Sequence, residues 1–244
     1  MTNDDFESPL TCNKEDIFND LIEFEKKREK APRYYDVSRF CKLLINLHNG
    51  DFPRVAPLYI KSNLDSFYES PSRFYHGVLH INQGLEEIDE IKHLLENPNE
   101  LEIAWYSHDF VYSTKANNNE EESAEFICKL LYESAVSSDK ISRVKRMIIA
   151  TDHKTPPKNA DEKYIVDIDL SIIGKDEEKY NWYSNGIRQE YSWVPEQQYK
   201  EGRSKILQGF LERPLLYYTD YFKDKYESQA RKNLEREIRI LRKI

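Results

Sequence analysis

Residues 99–112 read Asn99-Glu100-Leu101-Glu102-Ile103-Ala104-Trp105-Tyr106-Ser107-His108-Asp109-Phe110-Val111-Tyr112. Asn99 followed by Glu102 resembles a capping box, in which the two side chains satisfy the first backbone N–H groups of a helix. A helix is therefore expected to open here and to run to about Tyr112. Inside its apolar stretch stands Asp109, and a buried carboxylate is costly unless it is paired or binds a metal. The anomaly repeats in Tyr164-Ile165-Val166-Asp167-Ile168-Asp169-Leu170-Ser171-Ile172-Ile173, where two carboxylates interrupt an apolar run.

Outward from these two stretches the pattern is helical. Ile81, Leu85, Ile88 and Leu95 recur at helical spacing within Ser72–Leu95, and Asn119 with Glu122 repeats the capping device before Phe126, Ile127, Leu130 and Leu131. Ile141, Val144 and Ile148 mark another helix, ended by Pro156-Pro157. Tyr164–Ile173 is short enough for helix or strand, and its surroundings favour helix. Glu177–Tyr191, Glu196–Leu211 and Lys223–Lys243 complete the series. Upstream, helices are expected over Lys14–Lys30, from a Ser38 cap to Leu47, and over Leu58–Tyr68. Residues 1–13 read as a frayed tail. No hairpin signature and no internal repeat is visible. The expectation is an all-α helical bundle in a single domain over residues 14–244.

Composition agrees. Only 7 glycines stand against 17 tyrosines and 11 phenylalanines, and 33% of the 244 residues are charged; few glycines and many long charged side chains suit helices. The net charge of −8 offers no broad footprint for nucleic acid. Cys12, Cys41 and Cys128 form no C-x-x-C pair, so neither a zinc knuckle nor a disulfide framework is indicated. No signal peptide or membrane span is read, and a cytoplasmic setting is the expectation. Homo-oligomerisation is left open.

Six histidines occur, at 48, 76, 80, 93, 108 and 153. His76 and His80 are four apart and would share a helix face. One bound metal ion would answer both buried-charge anomalies, since imidazole and carboxylate together suit Mn, Mg, Fe, Co, Ni or Zn. Adjacent helical side chains diverge by about 100°, so His108 and Asp109 can face one ion only where the helix is locally distorted.

The succession of His80, His108-Asp109 and a distant Asp169 resembles the HD superfamily of metal-dependent phosphohydrolases. Flanking segments extend the likeness to an uncharacterised branch of it, over about residues 55–242: Arg73-Phe74-Tyr75-His76-Gly77-Val78-Leu79-His80, Ala104–Tyr112, Asn119-Glu120-Glu121-Glu122-Ser123-Ala124, Ile149–His153, Asp167–Gly174, Ile187-Arg188-Gln189-Glu190-Tyr191, Gly202-Arg203 and Ala230-Arg231-Lys232-Asn233-Leu234. The resemblance implies a helical HD fold that binds a divalent metal through His80, His108, Asp109 and Asp169. Asp167 competes for the fourth place; HD proteins usually use the second Asp of an Asp-x-Asp segment.

It also implies hydrolysis of a phosphoester in a small nucleotide or related metabolite. Asp109 would serve the reaction, and Glu120 would orient the water or simply charge its helix's first turn. His76 and His153 would hold a second ion or contact phosphate, or act as hydrogen-bonding neighbours of the ligands. Arg73, Lys154, Arg188, Arg203 and Arg231 are the cations available to phosphate, and Tyr75, Tyr106, Tyr112 and Trp105 could form a base-stacking wall. Alarmone-type members carry a Glu-Asp pair after the dyad; Tyr112 and Ser113 stand there instead, against that activity. A catalytically silent HD module that binds a nucleotide and signals to a partner is the alternative.

Overall fold

Leu101 to Phe110 are buried almost without interruption, and a helix that is apolar all round belongs at the centre of its neighbours. In the computed structural model, which describes residues 11–12, 37–48, 52–53 and 67–242, this segment forms helix α3, Pro98–Ser107. Around it lie α1 (Val37–Leu47), α2 (Val78–Ile91), α4 (Asn119–Glu133), α5 (Ser138–Ala150) and α6 (Ala160–Leu170), all touching α3. Helices α7 (Glu177–Glu190), α8 (Glu196–Leu211) and α9 (Asp220–Leu241) close the bundle, α9 packing on α8 and on the 3-10 turn Ser171–Gly174. Tyr226 comes so near that turn that a Cβ on Gly174 would lie 2.4 Å from the tyrosine Cβ.

The protein is a single all-helical domain. Among the described residues its one β pairing is a two-residue antiparallel ladder, Thr11↔Pro53 and Cys12↔Phe52. That ladder takes in the end of the segment read as a frayed tail. The helix expected over Lys14–Lys30 and most of that over Leu58–Tyr68 lie outside the described residues.

Several boundaries differ from expectation for identifiable reasons. Helix α3 opens two residues early, with Asn97 at its N-cap and Pro98 in the first turn, where proline's missing N–H is no loss. Ser38 lies within α1 rather than capping it. At α4 the flanking residue is Asn118, whose amide reaches Glu122 at 2.8 Å, while Asn119 accepts from the Ser113 N–H at 3.0 Å and closes the preceding loop. Helix α2 begins only at Val78, so His76 sits in the turn ahead of it. Tyr164–Ile173 is helical to Leu170 and then tightens into the 3-10 turn.

The most consequential boundary is the end of α3. It stops at Ser107, five residues before Tyr112. The Ser107 hydroxyl donates to the Ile103 carbonyl at 2.7 Å, a side-chain bond that competes with the helical ladder. Arg73 then donates to the carbonyls of Asp109 and Phe110 at 2.7 and 2.9 Å. This is the local distortion that lets consecutive side chains face one centre.

Candidate metal centre

Three helices deliver the central side chains. His80 lies in the first turn of α2, His108 is the C-cap of α3 with Asp109 in the following turn, and Asp169 is next to last in α6. His80, His108 and Asp169 each offer a ligand atom, all within 4.8 Å of one another. Nε2 of His80 is 3.2 Å from Nε2 of His108 and 3.4 Å from Asp169 Oδ1. His108 Nε2 stands 3.9 Å from that same Oδ1. Asp109 Oδ2 lies 3.7 Å from the His80 nitrogen and 3.2 Å from that of His108.

These atoms fit a metal ion. Bonds of about 2.0–2.2 Å in a tetrahedral site put neighbouring ligand atoms about 3.3–3.6 Å apart, and the distances above bracket that range. Asp109 Oδ2 is buried and accepts no hydrogen bond, a state that calls for a positive charge. His108 Nδ1 lies 2.7 Å from the Trp105 carbonyl; because a carbonyl only accepts, Nδ1 carries a proton, and once the ring is neutral the Nε2 lone pair is the one offered to a ligand. Metal capacity here is a property of the donor set, and Asp167 takes no part in it. Its carboxylate accepts from the N–H groups of Tyr218 and Thr219, each at 2.8 Å, and from the Thr219 hydroxyl at 2.7 Å. It anchors the start of α9.

The electrostatics follow from this crowding. Burial opposes charge on His108, but Asp109 and Asp169 outweigh it and push its pKa up to about 9. Burial likewise opposes ionisation of Asp109 and Asp169; His108 beside the first, and His153 with His80 beside the second, hold both carboxyls well below the ordinary range. For His80 burial prevails, and its pKa is lowered.

Supports surround the centre. His153 takes a left-handed φ of 56° just beyond α5, a conformation uncommon outside glycine, and its Nε2 lies 2.8 Å from Asp169 Oδ2. The Trp105 indole stacks on the His108 ring at 4.5 Å and donates to the Ile81 carbonyl at 2.9 Å. Glu190, at the end of α7, had no assigned role from sequence beyond the segment that contains it. Its carboxylate takes the N–H groups of Tyr75 and His76 at 2.7 and 2.9 Å, the Tyr112 hydroxyl at 2.8 Å and His76 Nδ1 at 2.7 Å. Burial works against His76 becoming charged, yet Glu190 raises its pKa. Nothing in the periodicity of α7 marks Glu190, because its partners lie more than seventy residues away.

A cavity of about 490 Å³ opens beside the centre, lined in part by His76, His108, Asp109, Glu120, His153, Asp169 and Arg203. Burial raises the Glu120 pKa. Among the expected aromatics, Tyr75 and Tyr112 line the cavity and Trp105 and Tyr106 are core.

The expected phosphate cations are differently placed. Arg203 is buried in the cavity wall, donating to Glu237 at 2.9 Å and to the Tyr183 hydroxyl at 3.1 Å. Arg73 is spent on backbone carbonyls. Arg188 donates to the Tyr191 carbonyl at 2.8 Å and pairs with Glu196 at 3.0 Å. Arg231 holds Glu227 and the carbonyls of Leu211, Arg213 and Pro214. Lys154 reaches Asp152 at 3.6 Å. Arg73, Lys154, Arg188 and Arg231 are not among the described cavity-lining residues.

Among the described residues no helix is long and apolar enough to cross a membrane. No family model, curated protein or solved structure matches this chain. The His80, His108 and Asp169 cluster beside its cavity is therefore what defines the molecule: an all-helical domain with a site that could hold a metal ion.

Proposed function

We propose that this chain is a metal-dependent phosphohydrolase of the HD type, acting on a phosphoester of a small nucleotide or related metabolite. The observation that carries the reading is the convergence of His80, His108, Asp109 and Asp169 at the edge of the 490 Å³ cavity. These four residues would hold the divalent ion, and the HD resemblance of the sequence names the same four.

Such an ion supplies Lewis acidity toward a phosphoryl oxygen and toward water. The chain's own residues do the rest. Glu120, in the cavity wall with its pKa raised by burial, is suited to accept the proton of an attacking water. His153 and the Trp105 carbonyl orient two of the ligands, as outer hydrogen bonds do in metal sites generally. With Nδ1 on Glu190, His76 keeps Nε2 for a substrate oxygen.

The test is metal content followed by phosphate release from a panel of nucleotides and simple phosphomonoesters with Mn, Mg, Co and Ni. One bound equivalent, turnover, and loss of both in His108→Ala are expected. Full metal with no turnover, joined to tight binding of one nucleotide, would replace this reading with the silent binding module.

A further inference from the structure

The wall charges of the cavity limit what it can take. Among its described lining residues Arg203 is the one Arg or Lys, and Glu237 neutralises it where it lies. His76 is matched by Glu190 in the same way. Against these stand four lining carboxylates, Asp109, Glu120, Asp152 and Asp169. The first and last are the ones that face His80 and His108; Glu120 is left without an ion-pair partner, and Asp152 has only the exposed Lys154 at 3.6 Å. The rest of the wall is largely apolar or aromatic, with Ile172, Ile187, Ile206, Tyr183, Tyr199 and Phe210 facing it from three elements. The Tyr183 oxygen accepts from Arg203, which leaves its hydroxyl proton to donate to an acceptor in the cavity.

We infer that the cavity takes a substrate with a single phosphoryl group and an otherwise uncharged, largely apolar remainder, and discriminates against di- and triphosphates. This rests on the phosphohydrolase reading for the position of the phosphoryl group, but the wall argument stands on charge alone. Sites that grip polyphosphates do so with Arg, Lys or a nest of N–H groups on each phosphate. Here a second phosphate finds no unpaired cation and approaches Glu120 or Asp152. Repulsion between like charges at contact is worth about tenfold or more in affinity, whereas an apolar remainder gains by leaving water against the isoleucines and tyrosines.

The experiment measures binding and turnover separately. Adenosine mono-, di- and triphosphate, glycerol phosphate and 4-nitrophenyl phosphate are titrated calorimetrically into the full chain with magnesium in excess, and phosphate release is followed in parallel. The monophosphate is expected to bind at least about tenfold tighter than the triphosphate, and 4-nitrophenyl phosphate tighter than glycerol phosphate. Gln198→Lys places a cation in the wall at an exposed position and is expected to raise triphosphate affinity about fivefold or more. A triphosphate that binds the unaltered chain as well as the monophosphate overturns the inference, as does a Gln198→Lys chain with unchanged triphosphate affinity. Selective monophosphate binding without phosphate release upholds the inference while removing the hydrolase reading.

Discussion

Gly84→Ala puts one methyl group into the most crowded part of the site. A Cβ on Gly84 would lie 2.0 Å from Cε2 and Cζ2 of Trp105 and 2.5 Å from its Nε1. Carbon atoms pack at about 3.5–4.0 Å, so the indole would have to retreat by about 1.5 Å, and Trp105 is fully buried in an interior with no spare room. Overpacking of this kind costs about 1–3 kcal/mol. Loss of the indole bond to the Ile81 carbonyl adds about 1 kcal/mol, and alanine's better helix propensity returns about 1 kcal/mol. The net expectation is about 1–3 kcal/mol of destabilisation, or about 2–4 °C of melting temperature for each kcal/mol in a chain of this size. Because the indole stacks on His108 and the Trp105 carbonyl holds its Nδ1, metal affinity should fall in the same variant. Gly209→Ala in α8, where a Cβ meets nothing within 4 Å, should instead stabilise by up to about 1 kcal/mol. Melting curves and metal titrations of the two variants decide the matter; a Gly84→Ala protein that melts at or above the parent would refute the packing argument.

Three further outcomes follow from the site. Asp169→Ala should lose the metal, whereas Asp167→Ala should keep it and lose about 1–3 kcal/mol in urea denaturation, because three donors at the start of α9 are left unpartnered; the reverse pattern would make Asp167 the ligand. The raised His108 pKa of about 9 means that the metal-free protein carries a proton there at neutral pH. Its stabilising effect is complete below about pH 6.5 and is lost as pH rises through 9. A metal must displace that proton, so affinity should climb about tenfold per pH unit from 7 to 9 with about one proton released; calorimetry in two buffers of different ionisation enthalpy counts it, and a count near zero contradicts the assignment. Glu190→Gln keeps the shape of the carboxylate but removes its charge, so the His76 pKa should drop in an NMR titration and stability should fall by about 1.5–3 kcal/mol. An unmoved His76 titration would mean that Glu190 is not what holds it.

Local pattern carried much of the architecture because its physics is local. The span expected for α8, Glu196–Leu211, agrees residue for residue. Helix α7 differs by one residue at its end. The capping pairs at Asn99 and Asn119 misled because an amide side chain has several local uses: at α3 proline moved the start upstream, and at α4 Asn119 was taken up by Ser113.

By itself the sequence determined that the chain is helical and that three carboxylates, Asp109, Asp167 and Asp169, sit where bare burial would be costly. Burial cost depends on immediate apolar neighbours, and those are written along the chain. What answers each charge was decided only by tertiary structure. Two residues apart on α6, Asp167 meets the backbone of Tyr218 and Thr219 while Asp169 meets His80 and His153. Arginines that sequence makes equivalent divide into carbonyl clamps at Arg73 and Arg231 and a cavity-wall ion pair at Arg203. Partners of this kind arrive from elements tens of residues away, and the direction in which a side chain points depends on how the helices pack, which no local spacing encodes.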